Sequence, residues 1–196
     1  MRTIGITGGI GSGKTAVTDY LATKDITIVD ADLASRVIVE PGRPALEAIF
    51  EHFGQHLKLS DGSLDRAGLR AIVFKDTEAR LWLEQLTHPL IGEEIQRQLA
   101  AAEGPYRVLS SPLLLEGTQV NMTDYVVVVD VPEELQVARA SARDNNDPEQ
   151  IKRIMAAQMA REARKAKADY ILDNSGSLQD LHAAAEQLHQ HLRALN

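Results

Sequence analysis

Apolar and polar positions along this 196-residue chain follow two alternating rhythms. Short continuous runs rich in valine and isoleucine recur at residues 3–7, 26–29, 107–109 and 125–129, with a briefer one at 170–172. The fourth, YVVVVD, has no polar alternate position until its end, which predicts a strand covered on both faces. Between and after these runs, apolar residues return every three or four positions at 15–23, 132–143 and 178–195. In the last segment Leu181, Ala184, Ala185, Leu188 and Leu192 share one helical face. Strands alternating with helices make βαβ units, so the pattern predicts an α/β fold: a five-stranded parallel sheet between helical layers, in a three-layer α/β/α arrangement.

Residues 31–104 break that alternation. Segments 44–53, 65–74, 77–86 and 89–102 all carry the helical period, with a turn at Asp61-Gly62 and a break near Pro41-Gly42. They predict a helical insert between the second and third strands. A further helix is expected at 148–168, after the polar turn sequence DNND. Neither an internal repeat nor a low-complexity linker is present.

Composition narrows the function classes. Hydrophobic residues at 44% and charged residues at 25% describe an ordinary folded chain rather than a disordered or fibrous one. A formal net charge of -7 argues against nucleic-acid binding through bulk positive charge, so any phosphate must be held by local groups. The absence of cysteine excludes disulfides and thiolate metal sites. Met1-Arg2 leads straight into a strand and no long apolar run follows, so a cytoplasmic protein without membrane contact and without an obligate protein partner is expected.

The chemistry concentrates in GGIGSGKT, residues 8–15, which lies between a strand and a helix. It fits G-x-x-x-x-G-K-[ST], the P-loop, and not the dinucleotide fingerprint, because Lys14 stands where the third glycine would be. Glycines let the backbone turn its N–H groups toward anionic oxygens, and the following helix adds positive dipole at the same point. Gly9, Gly11, Ser12, Gly13, Lys14, Thr15 and Ala16 are therefore the expected phosphate contacts. Lys14 is placed on the β- and γ-phosphates of a nucleotide, and the Thr15 hydroxyl on Mg²⁺.

DADLASR, residues 30–36, follows the second strand, at the sheet edge where ligands of such folds bind. Asp32 is the first candidate for a base that accepts a hydroxyl proton and Asp30 the second; either also suits a helix cap. Arg139 and Arg143, four residues apart, share a helix face that fits a mobile lid or an ordinary solvated surface. Arg161, Arg164, Lys165 and Lys167 form a second basic cluster, expected to be mostly solvated. His52, His56, His189 and His191 are expected at the surface. A GTP-dependent switch would carry Asp-Gly after the third strand and an Asn-Lys-x-Asp guanine site; neither occurs, so a kinase fits better.

Taken together, TGGIGSGKT, DADLASR, IVEPG, LTHPLI, PLLLE and AAQMAREARKAKADYILDNSG resemble, in order and over most of the chain, the dephospho-CoA kinases. The resemblance implies transfer of phosphate from ATP, with Mg²⁺, to the ribose 3′-hydroxyl of dephospho-CoA, the last step of coenzyme A biosynthesis. It implies a nucleotide-binding core at 1–30, 105–137 and 168–196, a substrate domain at 31–104 and a lid at 138–167. It puts the catalytic base on Asp32, beside Lys14 and the lid arginine Arg143, with Arg139 and Arg161 also on the nucleotide. Substrate contacts would fall on Asp32, Arg36, His88, Pro112, Leu113 and Glu116. Ser110-Ser111 and Leu115 depart from the family's usual residues around the PLLLE motif.

Overall fold

The computed structural model describes residues 1–144 and 146–195, the side chain of Asp144 excepted. The expected polar turn at 144–147 thus lies partly outside the described residues. The chain divides into two compact units, one formed by Met1–Asp30 with the chain from Leu99 onward, the other by Ala31–Gln98.

The first unit is built on five described strands: β1 (Thr3–Thr7), β2 (Ile28–Asp30), β3 (Arg107–Ser110), β4 (Tyr125–Asp130) and β5 (Tyr170–Asp173). All pair in parallel, in the order β2-β3-β1-β4-β5. Residues Val126 to Asp130 of β4 are all buried, as an uninterrupted apolar run requires when helices cover both faces. Helix α1 (Lys14–Ala22) packs Val17 and Leu21 against Ile4 and Ile6 of β1. The C-terminal helix, α9 by chain order (Leu178–Ala194), adds Leu181, Leu188 and Leu192 to the same core. Each such leucine contributes about 1.5–3 kcal/mol of burial. Ser177 and Asp180 start α9 with a reciprocal capping box. Helices α6 (Glu133–Asp144), α7 (Pro148–Ala157) and α8 (Arg161–Lys165) fill the chain between β4 and β5.

The second unit holds α2 (Ala31–Val37), α3 (Pro44–Phe53), α4 (Arg66–Val73) and most of α5 (Thr77–Ala100). Its core gathers Leu46, Ile49, Phe50, Leu57 and Leu69. The two helices expected at 77–86 and 89–102 are one: α5 runs through Pro89. Proline removes one backbone bond and crowds the preceding turn. Trp82, Leu83 and Leu86 before it and Leu90 and Ile91 after it nevertheless pack on a single cluster, and that shared burial keeps the helix continuous.

A second correction concerns 148–168, which forms two helices with Gln158, Met159 and Ala160 between them. Groups in that gap bond to other parts of the first unit, as described below. A third concerns His189, which is 6% exposed and hydrogen-bonded through Nδ1 to the buried Tyr106 hydroxyl at 2.8 Å. It lies on the inward face of α9, one residue from Leu188, where burial holds it below the usual histidine range. His52, His56 and His191 are exposed, as expected.

Glu94 of α5 links this architecture to pH. Its side chain is 8% exposed and accepts from Arg97 Nε and Nη2 at 2.9 and 2.6 Å and from Gln98 Nε2 at 2.7 Å. Hydrogen bonds from Arg97 and then Gln98 outweigh burial and hold its carboxyl at about 2, against an ordinary 4.5. Because the folded value lies below the unfolded one, the stabilisation is complete above the unfolded value and disappears as protonation proceeds. Urea unfolding between pH 7 and pH 2.5 is therefore expected to show stability falling below about pH 4.5, toward about pH 2, in the native protein. In Glu94→Gln the fall over that window is shallower; an equally steep fall removes Glu94 from the acid response.

Candidate active site

The turn at residues 8–15 connects β1 to α1, and its conformation is specified by glycine at two points. Gly11 has φ 72° and Gly13, the residue that starts α1, has φ 86°. In this left-handed region a side chain costs about 1–2 kcal/mol. There is also no room: a Cβ on Gly11 would meet the Gln136 carbonyl, and one on Gly13 the Asn174 amide. Gly13 offers no side chain to cap the first turn of α1, so the N–H groups of that turn remain to meet an anion.

Behind the turn stands a wall drawn from the distant end of the first unit. Asn174 Nδ2, just after β5, donates to the Ser12 carbonyl at 2.7 Å. Ile10 N–H donates to Gln158 Oε1 at 3.0 Å, at the residue where α7 ends. Arg164 is 6% exposed, donates to the Met159 carbonyl at 2.6 Å and reaches the back of Gly9. Its placement corrects the solvated-face expectation for this residue, while Lys167 is exposed as expected. Burial holds its guanidinium below the usual arginine range, partly offset by Glu116 and Asp130. Ser12 closes the turn, its N–H donating to the Gly9 carbonyl at 3.0 Å. The Ser12 hydroxyl oxygen is buried with no hydrogen-bond partner among the described residues.

Lys14 lies across the carboxyl ends of β2 and β3. Its Nζ donates to Ser110 Oγ at 2.5 Å and sits 3.9 Å from Asp30 Oδ2. Ser110 Oγ in turn donates to Asp30 Oδ2 at 3.3 Å. Strand register explains the group: Asp30 and Ser110 are opposite partners in the β2–β3 pairing. Ser110, noted in the sequence only as a departure, is thus a direct neighbour of the lysine.

The end of β4 supplies a second aspartate that sequence reasoning missed. Asp130 receives Arg161 Nε at 2.9 Å and Nη2 at 2.7 Å, a bidentate fork. Burial pushes the Asp130 carboxyl up, but the Arg161 bonds and charge and the Lys165 charge outweigh it and leave it below the ordinary range. The available signal was the aspartate ending YVVVVD, placed on a sheet edge by the run before it. Arg139 donates from Nη1 to the Asn174 carbonyl at 2.8 Å and from Nη2 to the Gly176 carbonyl at 3.4 Å, so it ties α6 to the loop after β5. Arg143 is exposed one turn further along α6. Pro112 accepts from the Thr7 hydroxyl at 3.3 Å, Leu113 is exposed, and Glu116 Oε1 accepts from Met159 N–H at 2.8 Å.

Asp32, Arg36 and His88 belong to the second unit. Asp32 and Arg36 occupy the first and last turns of α2, four residues apart and on one face, both exposed. His88 is exposed on α5. Among the described residues no group of three histidine, aspartate or glutamate side chains could hold a metal, and no helix is long and apolar enough to cross a membrane.

A phosphate-gripping turn at the carboxyl edge of a parallel sheet, without the guanine-reading motif of the switches, makes this a nucleotide-dependent phosphotransferase of the P-loop class. A family model described as dephospho-CoA kinase matches residues 2–180. The chain therefore belongs to the dephospho-CoA kinase family. A dephospho-CoA kinase of Idiomarina loihiensis is 50% identical over 187 residues, covering 95% of this chain and 93% of that relative. Among solved structures, TT1252 from Thermus thermophilus matches with a TM-score of 0.84 at 31% identity, covering 97% of both chains. A dephospho-CoA kinase from Campylobacter jejuni matches with a TM-score of 0.75 at 28% identity, covering 98% of this chain and 97% of that one.

Proposed function

We propose that this protein transfers the γ-phosphoryl group of ATP to the ribose 3′-hydroxyl of dephospho-CoA, giving coenzyme A and ADP. The observation that carries the reading is the turn at residues 8–15, with its two positive-φ glycines, open helix start and Lys14 beside Asp30, in a chain of this family.

The main-chain amides of Gly9, Gly11, Gly13, Lys14, Thr15 and Ala16 hold the phosphates, and the orphaned Ser12 hydroxyl fits the same acceptor. Lys14 transfers its ammonium contact from Ser110 to the β- and γ-phosphate oxygens as ATP binds. The donor set suits Mg²⁺, which is held by few protein ligands plus phosphates and water: the Thr15 hydroxyl, with Asp30 able to hold a coordinated water. When bound, Mg²⁺ would neutralise negative charge on the phosphates.

Asp32 accepts the proton of the 3′-hydroxyl as that oxygen forms its bond to the γ-phosphorus, and the bond to the ADP oxygen breaks. Arg143, Arg139 and Arg161 spread positive charge over the transferring group, and the 138–167 segment closes as a lid that excludes water. Residues 31–104 form the acceptor domain, in which Arg36 and His88 meet dephospho-CoA. Pro112, Leu113 and Glu116 of the first unit also contact dephospho-CoA. The enzyme works in the cytoplasm.

Incubating the purified protein with Mg-ATP and dephospho-CoA, with product read by mass spectrometry, is expected to give coenzyme A and ADP in equal amounts. ADP without coenzyme A would overturn the reading in favour of a hydrolytic switch.

A further inference from the structure

The second unit brings the exposed Arg66 side chain to the last turn of α2, the turn that carries the exposed Arg36. Arg66, the first residue of α4, donates from Nη2 to the Arg36 carbonyl at 3.5 Å, at the last turn of α2. Neither guanidinium is in an ion pair among the described residues. The carboxylate next in sequence, Asp65, is committed elsewhere: its Oδ1 caps α4 by accepting from Gly68 N–H at 2.9 Å. Arg97, which lines a cavity of about 230 Å³ in the same unit, shows the contrast, being held by Glu94 through two nitrogens. Desolvation first, and the charge of Arg36 second, hold the Arg66 guanidinium below the usual arginine range.

Like charges on neighbouring turns repel, and an anion with several oxygens relieves that repulsion while offering acceptors to both forks. Arginine suits the task better than lysine because its planar donors match two oxygens at once. Position then selects the anion. Arg36 is one turn from Asp32 on the same face of α2, a rise of about 6 Å. The sugar of the acceptor spans a similar length between the hydroxyl to be phosphorylated and its 5′-diphosphate.

We infer that Arg36 and Arg66 form a clamp for the 5′-diphosphate of the acceptor, fixing the ribose so that its 3′-hydroxyl falls on Asp32. The inference rests on the dephospho-CoA reading above and adds Arg66 as a specificity-determining residue. A clamp on the diphosphate makes the protein discriminate between dephospho-CoA and a nucleoside that carries the same ribose but no phosphate.

The test compares the native full chain with R66Q and R66K, each checked for folding by circular dichroism. KM for dephospho-CoA, KM for ATP, kcat, and the inhibition constant of adenosine as a competing acceptor are measured. R66Q is expected to raise KM for dephospho-CoA about tenfold or more, the loss of one charged, fork-like contact. R66K is expected to raise it less, with KM for ATP and adenosine inhibition unchanged in both. An unchanged KM for dephospho-CoA, or an equal loss for adenosine, overturns the clamp. If R66Q fails to fold, R66K decides alone, and parallel changes in its ATP and dephospho-CoA constants overturn the clamp. Native protein that turns over ATP but never dephospho-CoA overturns the acceptor reading instead, a result distinct from any of these.

Discussion

Asp32→Asn is expected to lower turnover by about 10²–10⁴-fold while ATP affinity stays at the native level. The substitution keeps size and polarity but removes the carboxylate to which the proposed mechanism gives the proton. Asp32 is exposed in the first turn of α2, so the change is expected to leave the fold intact. Steady-state kinetics with both substrates, beside calorimetric titration of ATP, provide the check. A base loses the acidic limb of the native pH–rate profile when converted to an amide, whereas a residue that only orients the hydroxyl leaves that limb in place at lower rate. Unchanged turnover removes Asp32 from the mechanism.

Lys14→Met is the second large effect and differs in kind. Lys14 is the cation of the phosphate loop, with a side chain 13% exposed between Ser110 and Asp30. Losing it removes positive charge from the transferring group, which costs about 10²–10³-fold in turnover by analogy with deleting one oxyanion donor. In the proposed mechanism the same ammonium contacts nucleotide before and during the reaction, so ATP affinity is expected to fall as well, unlike in Asp32→Asn. Lys14→Arg is not a rescue, since a planar fork does not replace a compact ammonium in a slot shaped by two strand ends. Native-like ATP binding in Lys14→Met would show that main-chain amides alone hold the nucleotide.

What could be read in advance was local. The runs at β1 and β4, the face of α9 and the glycine turn each declare themselves within a dozen residues, because their causes, periodicity and backbone freedom, act at that range. What could not be read was made by contacts between distant positions. Arg164 looks like one more charge in a basic cluster until packing puts it behind Gly9. The Arg161 fork on Asp130 joins residues 31 apart, and the Asn174 bond to Ser12 joins residues 162 apart. Pro89 misled for the same reason: the clustering that carries α5 through it involves Phe50 and Leu57, well outside the helix. Composition carries no trace of such pairings.

The wall behind the glycine turn has a consequence for how this chain tolerates recombination. The octapeptide looks like a portable module, yet its shape is completed by Gln136, Gln158, Arg164 and Asn174, encoded more than a hundred residues downstream. Parents that differ in both stretches must therefore contribute them as a pair. A crossover between the two leaves a loop with the right letters and no mould to set in.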